Sequence, residues 1–381
     1  MQHRTFGKTG LNVSTLGFGL MRLPLNSGES ADIDEERAIP LVRDAIDSGV
    51  TFLDTAYGYH GGASERLAAK ILKDGYREKV TLMTKLPSYL VESEADFDRL
   101  LNEQMEKLEV DHIDVYLLHA LNRERWDTVS ALGVTDFLDR AVADGRIGAT
   151  GFSFHDDLSV FKEIVDAYDW SACLIQLNFM DWNYQAGVEG LRYAAEKGMG
   201  VAVMEPLRGG KLAGRVPEDI LQIWNRMHPE WTPAEWAFRW VCNFPEVSVV
   251  LSGMGNREEV HENIDTFSAA LPNALGEEEL ALIDEVRNVY LERMRVGCTE
   301  CGYCTPCPQG VAIPSIFGLY NDVSMYGDRE NSERSYKNML RDGKAFPSCV
   351  DCGSCVEACP QAIPVVDMLR EAHREMAGEC E

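Results

Sequence analysis

The chain has 381 residues, 45% of them hydrophobic, which is enough for one barrel-sized domain and a smaller one. Its 62 acidic and 36 basic residues give a formal charge of −26, a surface that repels nucleic acid and anionic membrane. No stretch approaches the roughly 20 apolar residues of a membrane helix, and the opening MQHRTFGKTG has no apolar run, so a cytoplasmic protein is expected.

After a short opening segment, short apolar runs with β-branched residues alternate with stretches of 3.6-residue periodicity for about 270 residues. Strands are expected at 14–19, 51–55, 80–85, 113–119, 148–152, 174–178, 201–204 and 247–252. Helices are expected at 34–48, 64–73, 94–108, 135–144, 158–167 and 185–197, with 233–242 and 258–268 accompanying the last two strands. Eight strand–helix units in one run argue for an α/β fold, a (β/α)8 TIM barrel, over residues 1–275. A linker at 276–297 is expected to be helical, its opening glutamates suiting the positive end of the helix dipole. Residues 298–381 then form a small cysteine-rich domain, with helices expected between its two cysteine runs.

Eight of the 11 cysteines lie in those runs. Cys298, Cys301, Cys304 and Cys307 are separated by two residues each, and Pro308 follows. Cys349, Cys352, Cys355 and Cys359, followed by Pro360, have the gaps of bacterial ferredoxins. Four thiolates in a row suit a cubane better than the paired cysteines of a zinc site. Disulfides would need an oxidising compartment. A ferredoxin-like domain with two [4Fe–4S] clusters is therefore expected. In the crossed ferredoxin arrangement, Cys298, Cys301, Cys304 and Cys359 share one cluster, and Cys349, Cys352, Cys355 and Cys307 the other. The shorter last gap of the first run leaves open whether Cys298 and Cys307 both ligate. Cys173 and Cys242 sit in apolar segments and are read as buried small hydrophobes, and Cys380 in the tail has no assigned role.

Chemistry in such barrels sits at the C-terminal ends of the strands. Asp54 ends the second expected strand with Tyr59 just beyond it; Lys85 ends the third and His119 the fourth. The set suits carbonyl reduction. A phenol is a poor acid, with a pKa near ~10. An ammonium at Lys85 eases proton donation by Tyr59, the general acid, and Asp54 neutralises the lysine. A neutral His119 hydrogen-bonds the carbonyl oxygen where charge develops.

On these residues the chain resembles the aldo-keto reductase superfamily. The Asp54-x4-Tyr59 spacing with Lys85 and His119 matches the family's catalytic tetrad. Gly7-Lys8-Thr9-Gly10, Leu16-Gly17-Phe18-Gly19 and Gly151-Phe152-Ser153 are also similar to it. The likeness spans about residues 1–270, and the whole layout is similar to the branch with a fused ferredoxin domain. The resemblance implies a nicotinamide dinucleotide, with Ser153 and Gln176 on the carboxamide and Met204 where many members stack a tyrosine. It implies a loop over the pyrophosphate that includes Pro206, Leu207, Arg208, Gly209 and Lys211, and adenine contacts from Glu262 and Asn263. Gly19, Met21, Asp54, Ser252 and Met254 complete the implied cofactor contacts. Gly253 and Glu259 stand where 2′-phosphate binders carry basic residues, which leans the choice between NAD(H) and NADP(H) towards NAD(H), with Arg257 near enough to compensate.

The expected function is hydride transfer between NAD(P)H and a small-molecule carbonyl or alcohol. Hydride carries two electrons and each cluster takes one, so the clusters need a role of their own. They pass electrons to or from a redox protein partner, or they only stabilise the domain. A third reading makes the protein an electron carrier with a flavin or a partner on the barrel. Two readings of loop 121–132 also stand open: Arg123, Arg125 and Trp126 grip an anionic or sugar-like substrate, or the loop is merely solvated.

Overall fold

The structure, a computed structural model, describes residues 1–27, 30–214, 216–298 and 302–377. The chain divides into two compact units, Met1–Gly209 with Glu235–Glu277 and Gly210–Ala234 with Glu278–Glu381. The cut drawn on the sequence at 275 misses the excursion at 210–234, which groups with the C-terminal part of the chain.

The first unit opens with an antiparallel hairpin that the sequence reading left as a plain segment, β1 (His3–Thr5) and β2 (Asn12–Ser14). Phe6 in its turn is fully buried, with its ring 5.4 Å from that of Phe52. Gly7 has φ +52°, and a Cβ there would lie 2.1 Å from the nitrogen of Gly200, so no larger residue fits. Then come β3 (Leu16–Gly19), β4 (Phe52–Asp54), β5 (Thr81–Leu86), β6 (Ile113–Leu121), β7 (Ile147–Phe154), β8 (Ala172–Gln176), β9 (Gly200–Met204) and β10 (Val247–Ser252). All eight pair in parallel and close into a barrel in the order β10-β3-β4-β5-β6-β7-β8-β9. These are the eight strands expected, each within a few residues of its place. Phe6 and Val13 join inward residues such as Phe52, Met83, Leu117, Leu174 and Val249 in one core.

The helices between the strands are α1 (Glu35–Asp47), α2 (Ser64–Leu72), α3 (Glu94–Leu108), α4 (Arg123–Ala131), α5 (Val134–Ala143), α6 (Leu158–Ala167) and α7 (Gly187–Glu196). α8 (Glu218–Trp224) belongs to the second unit, and α9 (Pro233–Cys242) and α10 (Arg257–Ala269) flank β10. In α1 the Asp34 side chain accepts the Arg37 N–H, and the face with Ala38, Leu41, Val42, Ala45 and Ile46 is buried. The segment 121–132, read as a loop, is largely helical: Asn122 caps α4 by accepting the Arg125 N–H. Within α4 the buried residues are Trp126 and Val129, too few to give a helical period.

In the second unit α11 (Glu277–Glu292) leads to α12 (Ile313–Tyr326), α13 (Arg329–Arg341), α14 (Ser354–Glu357) and α15 (Val365–Met376). Gly327, with φ +66°, ends α12 in a left-handed cap and turns the chain into α13. Ile313, Phe317, Tyr320, Tyr336, Leu369 and Met376 lie in a buried core, against which Cys298, Cys304, Cys307, Cys349, Cys355 and Cys359 pack. Among the described residues no helix is long and apolar enough to cross a membrane.

Candidate active site and cluster cavities

Asp54 ends β4 and Lys85 lies in β5, one strand along. Both side chains are buried, and the Lys85 ammonium donates to the Asp54 carboxylate and, at 2.7 Å, to the Thr55 carbonyl. The ammonium is also 4.9 Å from the centre of the Tyr59 ring. Burial works against the charge on Lys85, but Asp54 and Tyr59 outweigh it and the ammonium is held above its ordinary value. Burial raises the Tyr59 phenol, and Lys85 only partly offsets it.

His119 reaches the same place from β6, its ring edge-on to Tyr59 at 5.9 Å. The β6–β7 register shifts between Leu118 and Leu121, and Ala120 takes a φ of +53°. This irregularity sets the aim of His119, and the Ala120 N–H donates to Ser153 Oγ at 2.6 Å. Burial first, then the charges of Lys85, His155 and Arg125, push His119 down to about 3, so its ring is neutral. Its Nδ1 is buried without a hydrogen-bond partner among the described residues. Behind Lys85 lies a buried relay that the sequence reading missed. Glu65 accepts from Thr84 Oγ at 2.8 Å and Gln104 Nε2 at 2.6 Å, and Gln104 also donates to the Lys85 carbonyl at 3.0 Å.

The residues implied for the nicotinamide stand at neighbouring strand ends. Ser153 of β7 is in register with Leu174, and Gln176 of β8 with Met204 of β9. Gln176 donates to Asp181 at 2.9 Å; Asn178 donates to the same carboxylate at 3.0 Å, and the Arg208 guanidinium lies 3.6 Å from it. At the other end Asn263 donates to Ser252 Oγ at 3.0 Å, and Met254 is buried. Glu262 lies beside Asn263 on α10, Pro206 is buried, and Leu207 and Gly209 continue the loop after β9. Gly19 ends β3, and Met21 beyond it is exposed. Arg22, unnoticed in the sequence, lays its stem against Gly253 and its guanidinium 3.4 Å from Glu205. Polar amide ligands beside a thioether, with Arg22 and open glycines further round, fit a dinucleotide in donor chemistry. Lys211, implied for the same loop, belongs to the second unit, where its ammonium pairs with Asp322.

In the second unit Cys307, Cys349, Cys352 and Cys355 line a cavity of about 220 Å³, and Cys304 also reaches it. Cys298, Cys304 and Cys359 line a smaller one of about 20 Å³. Cys301 and Cys380 lie outside the described residues. Among the described residues no three His, Cys, Asp or Glu side chains close on a point that holds a single metal ion. The Asp351 N–H reaches Cys349 Sγ at 3.4 Å, a bond of the kind that tunes cluster sulfurs. An all-thiol set around a cavity fits an iron–sulfur cluster in its chemistry. Cys173 and Cys242 are fully buried, and burial pushes both thiols up, Cys242 to about 12.

A closed parallel barrel that gathers Asp54, Lys85, Tyr59 and His119 at its strand ends has the architecture and the proton donors that a carbonyl-reducing enzyme needs. The model of the Aldo/keto reductase family matches residues 15–288, and that of the 4Fe-4S dicluster domain matches 297–363. The chain belongs to the aldo/keto reductase family and carries a C-terminal 4Fe-4S domain. It is 26% identical over 316 residues to L-galactose dehydrogenase of Arabidopsis thaliana, covering 75% of this chain and 95% of that one. It is 24% identical over 316 residues to the NADH-specific methylglyoxal reductase of Escherichia coli (strain K12), covering 72% and 96%. Among solved structures, the holo form of an aldo-keto reductase from Bacillus halodurans matches with a TM-score of 0.63 at 25% identity, covering 75% of this chain and 96% of that one.

Proposed function

We propose that the barrel reduces a small-molecule carbonyl, or oxidises the matching alcohol, and that two [4Fe–4S] clusters carry single electrons between the second unit and a redox protein partner in the cytoplasm. Lys85 carries the reading: a fully buried ammonium with Asp54 on one side and the Tyr59 ring on the other. A structural lysine needs only the carboxylate. The phenol beside it is explained by proton transfer, because the ammonium stabilises the phenolate left behind.

Tyr59 donates its proton to the carbonyl oxygen as that oxygen gains charge. Burial keeps the proton on the phenol until then. His119 is neutral and offers the same oxygen a hydrogen bond, while Asp54 balances Lys85 throughout. The nicotinamide, when bound, supplies the hydride. In this reading Ser153, Gln176 and Met204 hold its ring. Gly19, Met21, Pro206, Leu207 and Gly209 follow the chain of phosphates, and Ser252, Met254, Glu262 and Asn263 take the nucleoside end.

NAD(H) is the better candidate. Glu259 folds back to accept the Gly255 N–H at 2.7 Å, so its charge stays at the adenosine end. Arg257, the nearby cation, lies 3.5 Å from Asp44 instead. The Escherichia coli relative carries NADH specificity in its name. The clusters, when bound, supply one-electron transfer. Cys352 is exposed, as are Tyr303 and Val350 on the same cavity, which supports exchange with an outside partner.

The test is Tyr59→Phe in the full chain. Carbonyl reduction falls by about 10²–10⁴-fold with the fold intact. A folded variant that keeps its carbonyl turnover sinks the proposal.

A further inference from the structure

α4 presents two arginines near the mouth of the barrel, and the structure separates them. Arg123 grips Glu163 with both arms, one contact at 2.6 Å, and its backbone N–H donates to Asp156 at 2.7 Å. Trp126 is buried, its ring 6.1 Å from that of Trp170. Both serve the fold. Arg125 is different. It is half-buried, donates from Nη1 to the Ala120 carbonyl at 2.6 Å and lies 5.9 Å from the centre of the Tyr89 ring. Among the described residues no carboxylate pairs with it.

Its surroundings adjoin the candidate active site. The Ala120 carbonyl that holds it belongs to the residue after His119. The Tyr89 ring lies 6.1 Å from His119, and His119 lies 5.9 Å from Tyr59. The charge of Arg125 is felt at both His119 and His155. Of the two permanent cations here, Lys85 has the Asp54 carboxylate, and among the described residues Arg125 has none. A half-buried guanidinium without a counter-ion pays for lost hydration. Its free N–H groups match a carboxylate or phosphate in two-pronged geometry.

We propose that Arg125 forms an anion subsite and that the carbonyl substrate carries a carboxylate or phosphate group, bound there while its carbonyl meets Tyr59 and His119. The inference rests on the reductase reading for its catalytic half, but the subsite itself is a matter of binding. Carboxylate and phosphate share the chemistry, so the test includes both.

The experiment measures kcat/KM with NADH on the full-length protein, purified without oxygen, for matched aldehydes. The pairs are 4-carboxybenzaldehyde with 4-methylbenzaldehyde, succinic semialdehyde with butanal, and glyceraldehyde 3-phosphate with glyceraldehyde. At least one pair favours the anion by about tenfold or more. That ratio falls to about one in Arg125→Leu, is partly kept in Arg125→Lys, and survives Arg123→Leu. A carboxylate pair and the phosphate pair showing the effect separately tells the two sources apart. A wild-type ratio near one in every pair overturns the proposal, as does a preference that persists in Arg125→Leu. If no aldehyde is turned over, the reductase reading fails, and calorimetric binding of 4-carboxybenzaldehyde against 4-methylbenzaldehyde decides the subsite. A preference lost in Arg125→Leu supports it, and no preference overturns it.

Discussion

In the barrel the charged pair hangs from neighbouring strands and is satisfied by the chain itself; in the second unit the thiols, Cys355 on α14 and others on the turns around it, gather about cavities. Asp54 and Lys85 satisfy one another at adjacent strand ends, with Thr55 taking a further bond. Cys349, Cys352 and Cys355 sit around Asp351 and Gly353, both at positive φ, with cavities between the sulfurs. The contrast follows from charge. A buried ammonium without a carboxylate is too costly to fold around, so the barrel builds its site from the chain alone. Thiols bring no fixed charge that the chain must balance, and the partner of these is the iron–sulfur group that the 4Fe-4S domain binds. The charges of the barrel pair are balanced within the chain, and the thiols are balanced by the group they bind.

The sharpest way to break this contrast is at the buried pair. Lys85→Met leaves Asp54 buried without a counter-charge, so stability drops by about 3–5 kcal/mol in chemical denaturation. Carbonyl turnover falls by about 10²–10⁴-fold. The double variant Asp54→Leu/Lys85→Met regains most of the stability and none of the activity. If activity returns with stability, the pair is structural and the proton-transfer role is wrong.

On the cysteine side, the proposed two clusters predict that Cys352→Ala halves the iron from about eight to about four atoms per chain. It also removes most of any reduced-viologen-linked electron transfer. Iron content and electron paramagnetic resonance after dithionite check this, and undiminished iron contradicts the assignment of Cys352.

A smaller effect concerns acid. His119 is held at about 3 in the folded chain, against an ordinary value of 6.5. Its folded value is depressed, so the unfolded state binds the extra proton between the two. This contribution to stability is complete above pH 6.5 and is lost as pH falls towards 3. His119→Gln lacks the component, so its denaturation midpoint falls less steeply than wild type between pH 6.5 and 4. Parallel curves contradict the neutral, buried imidazole.

The smallest change expected is at the cofactor's far end. Glu259→Gln removes a charge while its amide can still accept the Gly255 N–H. The Michaelis constant for NADPH improves by about two- to fivefold relative to NADH. No change in the ratio means that Glu259 does not read the 2′ position.

These differences also explain what could be read in the sequence. Asp54, Tyr59, Lys85 and His119 were legible because each closes or follows a short apolar strand, and strand ends in such a barrel share one mouth. The cysteine runs were legible because their spacing is local. Arg22 escaped notice because nothing in its own segment shows that Gly253 and Glu205, more than 180 residues away, lie beside it. The relay through Glu65 and Gln104 depends in the same way on α2, α3 and β5 packing together. α4 was taken for a loop because it buries two side chains in nine residues. The three-residue strands of the opening hairpin are too short to show a period. The grouping of 210–234 with the C-terminal unit is a tertiary fact with no local signature.

The central claim is that the barrel passes hydride directly to a carbonyl carbon. NADH deuterated at both C4 positions, a reducible aldehyde and the full protein under nitrogen test it in one experiment, with the alcohol product read by mass spectrometry and NMR. The account predicts one deuterium on the carbinol carbon of every product molecule, with product formation abolished in Tyr59→Phe. Alcohol carrying solvent hydrogen at that carbon, or reduced clusters with no alcohol formed, would contradict it and point to a flavin or another carrier between the nicotinamide and the final acceptor.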